Sequence, residues 1–314
     1  MVHGICIFKD SSVEKRLFMT YFILQFLNGL QIGSIYALIA LGYTMVYGII
    51  KLINFAHGEI MMTAAYFIYF FMTLLDLPFI AATILATILS VILGVLIERI
   101  AYRRLRQASR LSALITAIAV SLFLQTLYAI LFTPDPRAFP LTASSFPVLH
   151  AGEISISAWT LITIAVAVVV MILLQLFVTR HKAGKAMLVV SEDLKGAYLM
   201  GIKVNRIVSM TFAIGSALAA IAAALYIVSY PQITPYMGAL PGIKAFIAAV
   251  LGGIGLIPGA MLGGFLLGLV ETMTRAYIPS SVAQLSEGVV FVILILVLLL
   301  KPAGLLGKSE REKV

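Results

Sequence analysis

Charged side chains are scarce in this sequence. Asp, Glu, Lys and Arg make up 11% of its 314 residues, whereas 62% of the residues are hydrophobic and the mean hydropathy is +1.09. Soluble domains carry about 25% charged and about 45–50% apolar residues. A water-soluble fold could not bury this much apolar surface. The composition therefore excludes a soluble protein and predicts an integral membrane protein.

Cysteine and the common catalytic motifs are also missing or nearly so. The single cysteine, Cys6, excludes an internal disulfide. No H-E-x-x-H, G-x-S-x-G or G-x-x-x-x-G-K-[ST] pattern occurs. An intramembrane enzyme is therefore a remote interpretation. We expect no cofactor, metal or ATP to be bound by this chain itself.

Positive charge is present and clustered. Five Lys or Arg residues fall in 99–110, six in 180–206 and four after position 300, within a net charge of +9. Cytoplasmic loops of membrane proteins carry such clusters, so the charge does not argue for nucleic acid. We predict that loops 98–110 and 179–207 and the C-terminus are cytoplasmic. Loop 133–157, with one Arg, is predicted to lie outside.

Apolar segments predict an all-α integral membrane protein, a polytopic bundle of about eight to ten transmembrane helices. A straight transmembrane helix needs about 20 residues. The first segment is too long for this, so it contains either two short passes or one pass with the N-terminus outside, which we favour. The segments are 19–50, 60–75, 79–97, 111–132, 158–178, 208–229, 243–257, 259–274 and 286–300.

No long polar linker divides the chain, so we predict one transmembrane domain over 19–307. Residues 1–18 are interpreted as an N-terminal extension, with Met19 as an alternative start, and 308–314 as a cytoplasmic tail.

Two segments are typical of broken or re-entrant helices, 42–59 and 247–268. Their polar, Gly and Pro residues free backbone groups that protein or a water-filled path must satisfy. The alternatives are a polar surface turn, with Glu59 capping the next helix, and simple close packing of glycines. The candidate path residues are Asn54, His57, Glu59, Gly252, Gly253 and Gly255.

The longest basic loop contains the pattern of a short capped helix. Ser191 is a candidate N-cap, Glu192 and Asp193 fit the first turn, and Gly201 fits a left-handed end. Residues 194, 197 and 198 are expected to share one apolar face. Such a helix suits a groove on a soluble partner. A helix resting on the bilayer surface is the alternative.

Three charged residues fall near the ends of apolar segments. Glu271 and Arg275, one turn apart, are expected to pair. Lys244 is interpreted as an interface residue that extends its ammonium to water, or alternatively as part of a substrate path.

Four blocks in order carry a resemblance to a known family over residues 22–307. The sequence resembles the branched-chain amino acid ABC importer permeases of the LivH type. The blocks are GSIYALIALGYTMVYGIIKLINFAHGEIMM, SEDLKGAYLMGIKVNRIVSMTFAIGSALAAIAAAL, GIKAFIAAVLGGIGLIPGAMLGGFLLGLVET and LLLKPAGLLG.

The resemblance implies a permease subunit in a bacterial or archaeal cell membrane that forms half of a translocation path. It implies a second, LivM-like permease, two ATPases similar to LivG and LivF that bind ATP and Mg, and an extracytoplasmic binding protein. It assigns ATPase coupling to Glu192, Asp193, Ala197 and Gly201.

Two alternatives to a branched-chain amino acid importer stay open. Relatives in the wider family carry urea, short amides or aromatic acids. A stand-alone secondary transporter or channel also fits broken helices with an embedded carboxylate.

Overall fold

The computed structural model describes residues 11–105, 109–151, 154–279, 285–301 and 304–307. The predicted tail, 308–314, and residues 1–10 of the predicted extension lie outside the described residues. Residues 11–18 belong to the same helix as residues 19–50. The helices are α1 Ser11–Ile50, α2 His57–Leu74, α3 Phe79–Ile97, α4 Arg103–Leu105, α5 Arg110–Phe132, α6 Ala158–Arg180, α7 Lys182–Glu192, α8 Leu194–Leu199, α9 Val204–Ser229, α10 Ala239–Gly252, α11 Ile257–Tyr277 and α12 Leu285–Leu300.

Short irregular elements connect these helices. A π-helical turn, Glu98–Tyr102, continues α3 into α4. Strands β1 Arg137–Ala138 and β4 Gln232–Ile233 pair antiparallel, as do β2 Val148–Ala151 and β3 Ile154–Ser157. Both strand pairs come from segments that follow or precede helices at one end of the bundle, which we call the hairpin end.

Six helices of the described chain are long and apolar enough to cross a membrane by length and composition. They contain the ranges Lys15–Ile50, Phe79–Leu105, Leu111–Phe132, Ala158–Arg180, Val204–Ser229 and Ile257–Tyr277. Two shorter apolar helices lie at Ala239–Gly252 and Glu287–Val297. The chain is therefore an all-α, multi-pass membrane protein, as the sequence predicted.

The first apolar segment is one continuous helix. The alternative of two short passes in 19–50 is therefore wrong. At about 1.5 Å per residue, the 40 residues of α1 extend about 60 Å, well beyond a hydrocarbon core of about 30 Å. Only its second half is buried, because residues 33–46 are enclosed by neighbouring helices whereas residues 15–19 are largely exposed.

Helix α1 lies at the centre of the bundle, packed against α6, α9, α10 and α11. Small residues permit its closest approach, to α11. A Cβ on Gly33 would lie 2.8 Å from the Cα of Phe265, and one on Gly268 would collide with Gly33. Without a hydrophobic driving force between helices in lipid, such close backbone packing stabilises helix pairs.

The periphery is formed by α3, α5 and α6. Only 17% of the most apolar 18-residue stretch of α5 is buried inside the protein, against 83% for α1 and 72% for α9. The exposed side chains of α3, α5 and α6 are mainly Leu, Ile and Val. Such a surface matches lipid tails, so these faces suit the hydrocarbon core.

Both predicted helix breaks are present. The helical conformation stops after Ile50 and resumes at His57, and it stops again after Gly252 and resumes at Ile257. Lys51 has a φ of 54°, and Gly253 and Gly255 have φ values of 107° and 95°. These left-handed residues end α1 and α10.

Candidate functional site

The first candidate site is the place where two helices begin inside the bundle. Gly58, at the start of α2, lies directly against the start of α10. A Cβ on Gly58 would collide with the carbonyl oxygen of Gly238 and lie 3.1 Å from the Cα of Gly242. All three glycines are buried. We call this contact the helix-start site. Two N-termini, each with unpaired amides and a partial positive charge, therefore meet away from solvent.

Asn54 and His57 are buried beside the helix-start site. The Tyr102 hydroxyl donates a 2.8 Å hydrogen bond to Asn54 Oδ1. The His57 ring packs against Gly42 and lies edge-on to Tyr43, with ring centroids 4.9 Å apart. Each side chain is at most 2% exposed. Both side chains therefore lie inside the protein, and their role in a translocation path stays a prediction.

Glu59 is the buried carboxyl residue at the helix-start site. Its Oε1 accepts hydrogen bonds from Gln125 Nε2 at 2.8 Å and Ser121 Oγ at 3.1 Å, both on α5. Its Oε2 has no hydrogen-bond partner among the described residues. Glu59 lies in the first turn of α2, where the helix dipole favours an anion. No side chain caps α2 by a hydrogen bond, so Asn54 and His57 do not act as caps.

The second candidate site is the break between α10 and α11. Gly252 packs on Gly259 across the break, so closely that a Cβ on either would collide with the other's carbonyl. The packing alternative therefore holds for Gly252. The C-terminal segment closes the site, because the amides of Leu305 and Leu306 donate to the carbonyls of Leu251 and Gly252 at 2.8 and 3.1 Å. These bonds satisfy two carbonyls that the end of α10 would leave unpaired.

The two sites do not merge into one cluster. Glu59 lies near Gly238 at the start of α10, and the three glycines lie at its end and just after it. Helix α10 has 14 residues and is about 21 Å long. The helix-start site and the α10–α11 break are therefore two separate places joined by one short helix.

A cavity of about 670 Å³ opens beside the α10–α11 break. Its wall combines the end of α1, helix α7, the break and Gly307. Two residues from separate sequence predictions, Gly255 and Glu192, line it together, whereas Asn54, His57 and Glu59 do not. The cavity places the basic-loop helices directly against the broken helix.

The basic loop contains two helices where the sequence predicted one. Ser191 lies inside α7 and donates to the Leu188 carbonyl, so its assignment as N-cap is wrong. Glu192 ends α7, and Asp193 caps α8 by accepting from the Lys195 amide at 2.9 Å. A carboxylate is as good an N-cap as a hydroxyl, and the β-region conformation of Asp193 forces the break.

Gly201 ends α8 as predicted. Its φ is 76°, its amide donates to Tyr198, and the Ile202 amide donates to Ala197, each at 3.0 Å. This pair of bonds is a Schellman motif, which needs a left-handed residue at the Gly201 position.

The predicted apolar face of α8 is only partly correct. Ala197 is fully buried, so it packs inward and cannot share an exposed face with Leu194 and Tyr198. The exposed apolar side chains are instead Leu194, Tyr198, Leu199 and Met200, and Leu199 is 90% exposed. We call these four residues the α8 tip. Sequence reasoning missed Leu199 and Met200 because a six-residue helix has little periodicity to read.

A buried ionic network also escaped sequence reasoning. Lys244 does not extend to the interface but is buried, with its Nζ 2.8 Å from Glu271 Oε1. Arg275 pairs with the same oxygen at 3.1 Å, as expected. The signal available was the presence of two ionisable residues of opposite sign in apolar segments.

Another buried carboxylate joins α3 to α9. The Ser209 hydroxyl donates to Glu98 Oε2 at 2.7 Å, within the π-helical turn. Single-turn π-helices occur frequently at functional sites. Glu98 belonged to the basic loop 98–110 in the sequence prediction, which concealed its burial.

Multi-pass helices, two helix breaks, buried polar side chains and an exposed helical tip are consistent with a membrane permease. A family model described as "Branched-chain amino acid transport system / permease component" matches residues 25–298. The chain belongs to this family of permease components.

Individual relatives agree. The chain is 45% identical over 305 residues to the high-affinity branched-chain amino acid transport system permease protein BraD of Pseudomonas aeruginosa, covering 94% of this chain and 98% of the relative. It is 43% identical over 309 residues to the LivH permease protein of Escherichia coli, with the same coverage. A probable LivH permease of Methanocaldococcus jannaschii is 25% identical over 290 residues, covering 89% of this chain and 91% of that protein.

Proposed function

We propose that this chain imports branched-chain amino acids as one half of the transmembrane path of an ATP-driven transporter. The path is completed by a second, LivM-like permease. Two LivG- and LivF-like ATPases bind ATP and Mg on the cytoplasmic side, and an extracytoplasmic binding protein delivers the substrate. The complex lies in a bacterial or archaeal cell membrane, with the basic loops and the C-terminus in the cytoplasm.

The observation that carries this proposal is the position of the α8 tip. Exposed apolar side chains on a basic, otherwise polar segment are typical of a protein interface. Helix α8 follows α7 after a single residue, and α7 lines the cavity beside the α10–α11 break. A displacement of the α8 tip is therefore transmitted through α7 to the cavity wall at the α10–α11 break.

The proposed cycle uses no covalent chemistry on this chain. ATP binding closes the two ATPases, and the α8 tip follows them. Asp193 and Gly201 keep α8 a rigid, capped element, while Ala197 anchors it to the bundle. Movement of α7 then alters the cavity wall at Glu192 and Gly255, so that access to the path alternates between the two sides.

The test is co-purification of the tagged chain from its native membrane in mild detergent, followed by mass spectrometry. We expect two ATPases and a second permease. Leu199→Glu places a charge in the proposed apolar interface, and it should reduce ATPase recovery about ten-fold, equivalent to about 1.4 kcal/mol. Leu149→Glu is the matched control, because Leu149 is an exposed leucine at the hairpin end.

Equal ATPase recovery with both variants would contradict the docking role of the α8 tip. Uptake of labelled leucine by vesicles containing this chain alone would contradict the importer and favour a secondary transporter. Competition by urea or short amides, but not by valine, would move the substrate to those classes.

A further inference from the structure

Lys244 faces two carboxylates from different helices. Its Nζ lies 2.8 Å from Glu271 Oε1 on α11 and 3.6 Å from Glu287 Oε1 on α12. The two carboxylates differ in environment, because the Glu271 side chain is 3% exposed and the Glu287 side chain is 44% exposed. One ammonium therefore connects a fixed buried partner to a partner at the protein surface.

Glu271 is fixed by more than Lys244. Its Oε2 accepts a 2.9 Å hydrogen bond from the Tyr36 hydroxyl on α1, and its Oε1 also accepts from Arg275. Four helices, α1, α10, α11 and α12, meet at this network. Glu287 lies on α12, which packs on α10 and α11, whereas the central helix α1 packs on α6, α9, α10 and α11.

Stability alone does not account for a buried ion pair of this kind. Desolvation of the two charges offsets their attraction, and well-packed apolar replacements are often as stable or more stable. Ionisable residues inside a membrane domain are costly and are usually functional. The network therefore needs a role that apolar side chains would not fill.

Helix α12 is attached to both ends of α10. Near its start, Glu287 faces Lys244; after its end, Leu305 and Leu306 pair with the last carbonyls of α10. The second attachment is made by backbone hydrogen bonds, and the first by an ionic contact of 3.6 Å that can lengthen without orphaning a buried group. Helix α12 is thus held to α10 by backbone hydrogen bonds after its C-terminal end, and near its start by an ionic contact whose length can change.

We propose that Lys244 is a positioning residue for transport, which shares its charge between Glu271 and Glu287. When α12 moves relative to α10, the ammonium keeps Glu271 as its partner while its contact with Glu287 forms or breaks. The movement then never leaves a buried charge unpaired. Because α10 runs from the helix-start site to the cavity, its position relative to α12 affects both candidate sites.

The first test is Glu287→Gln in the assembled transporter. This change removes the adjustable partner and leaves the buried Lys244–Glu271 pair intact. We expect uptake of labelled leucine to fall about ten-fold at an unchanged amount of assembled complex, with several-fold more ATP hydrolysed per leucine carried. A purely structural role would not change that ratio, since Glu287 is half exposed.

Arg275→Gln is the matched control for Glu287→Gln. Arg275 is also a half-exposed charge of the same network. When it is replaced, Lys244 retains its contacts with Glu271 and Glu287. We expect its uptake and its ATP-to-leucine ratio to stay within two-fold of those of the unchanged protein. Unchanged uptake and ratio in Glu287→Gln would overturn the proposal, as would equal losses in both variants.

The second test replaces the buried network by apolar residues of similar size. The triple variant Tyr36→Phe, Lys244→Met, Glu271→Met leaves no orphaned hydroxyl and no buried charge within this network. We expect it to assemble but to lose uptake about ten-fold. Wild-type uptake by this variant would overturn the proposal, and if it fails to assemble, Glu287→Gln decides alone.

The inference rests on the proposed function in one respect, because the ATP-to-leucine ratio has a meaning only if ATPases drive this transporter. Loss of ATP dependence in the unchanged protein would contradict the proposed function, whereas the uptake of each variant relative to the unchanged protein would still test Lys244.

Discussion

At the scale of single residues, two buried polar side chains of the candidate site accept hydrogen bonds from distant parts of the chain. Asn54 is bonded to Tyr102, and Glu59 to Ser121 and Gln125. In a membrane domain no water competes for these groups, so an unpaired one costs several kcal/mol. The glycines at the helix-start site contribute differently, because the lack of a side chain lets the starts of α2 and α10 approach closely.

Gly58→Ala tests that contact. The added methyl group would collide with Gly238 and force apart the starts of α2 and α10. We expect a loss of about 1–3 kcal/mol in stability, as for other overpacked sites, together with reduced leucine uptake. Thermal unfolding of the purified protein in detergent measures the first effect.

Gly288→Ala serves as the control for Gly58→Ala. Gly288 lies in α12, and a Cβ there would meet no atom of the described residues within 4 Å. Alanine is the better helix former by about 0.5–1 kcal/mol. Stability should therefore be equal or slightly higher, and similar losses in both variants would show that packing at Gly58 is not the cause.

At the scale of elements, the short helix α10 joins the two candidate sites, and its end depends on the C-terminal segment. Its last carbonyls find their donors more than 50 residues later, in Leu305 and Leu306. Gly304 permits this approach, since its φ is 79° and a Cβ would lie 2.6 Å from Gly253 N. Leu305 and Leu306, in the sequence block LLLKPAGLLG, thus act on α10.

Leu305→Pro removes the amide that donates to Leu251 without shortening the chain. We expect a loss of stability of about 0.5–1.5 kcal/mol, the usual net value of one hydrogen bond. Uptake should fall as well, because the α10–α11 break lines the cavity. Leu305→Ala keeps the amide and should have a smaller effect on both quantities. Equal effects of Pro and Ala would assign the role to the Leu305 side chain.

At the scale of the whole molecule, a central helix pair, α1 and α11, is surrounded by apolar helices whose outer faces suit lipid. Both ends of the bundle are polar but differ, since the basic loops with α7 and α8 lie at one end and the β-strands at the other. Charge asymmetry of this kind sets the orientation of multi-pass proteins, with the basic end in the cytoplasm.

Cysteine labelling measures this orientation. In a Cys6→Ser background, Ser144→Cys at the hairpin end should react with an impermeant maleimide in intact cells. Lys195→Cys on α8 should react only after the membrane is opened. Both positions are solvent-exposed or partly so, and both lie outside the long apolar helices. The reverse pattern would contradict the predicted orientation and, with it, ATPase docking at the α8 tip.

The sequence predicted the architecture from short-range chemistry. Apolar runs indicated helices because lipid leaves no other way to pair the backbone. Polar and Gly residues indicated the break after Ile50, and Gly and Pro residues indicated the break after Gly252. Gly201 was correctly assigned as a helix end because a left-handed residue is a local requirement. The N-cap of α8 was misplaced by two residues, since Ser191 and Asp193 are both good caps and propensity alone does not choose between them.

What the sequence by itself determined is that this protein lies in lipid, that it is helical and that two of its helical segments are broken, because these properties depend on composition and on neighbouring residues. Only the tertiary structure decided that Lys244 is paired with Glu271 instead of lying at the interface, and that Ala197 is buried while Leu199 is exposed. It alone placed Glu192 and Gly255 in one cavity. Those outcomes depend on which helices pack together, and the partners lie tens to hundreds of residues apart, beyond the reach of any local pattern.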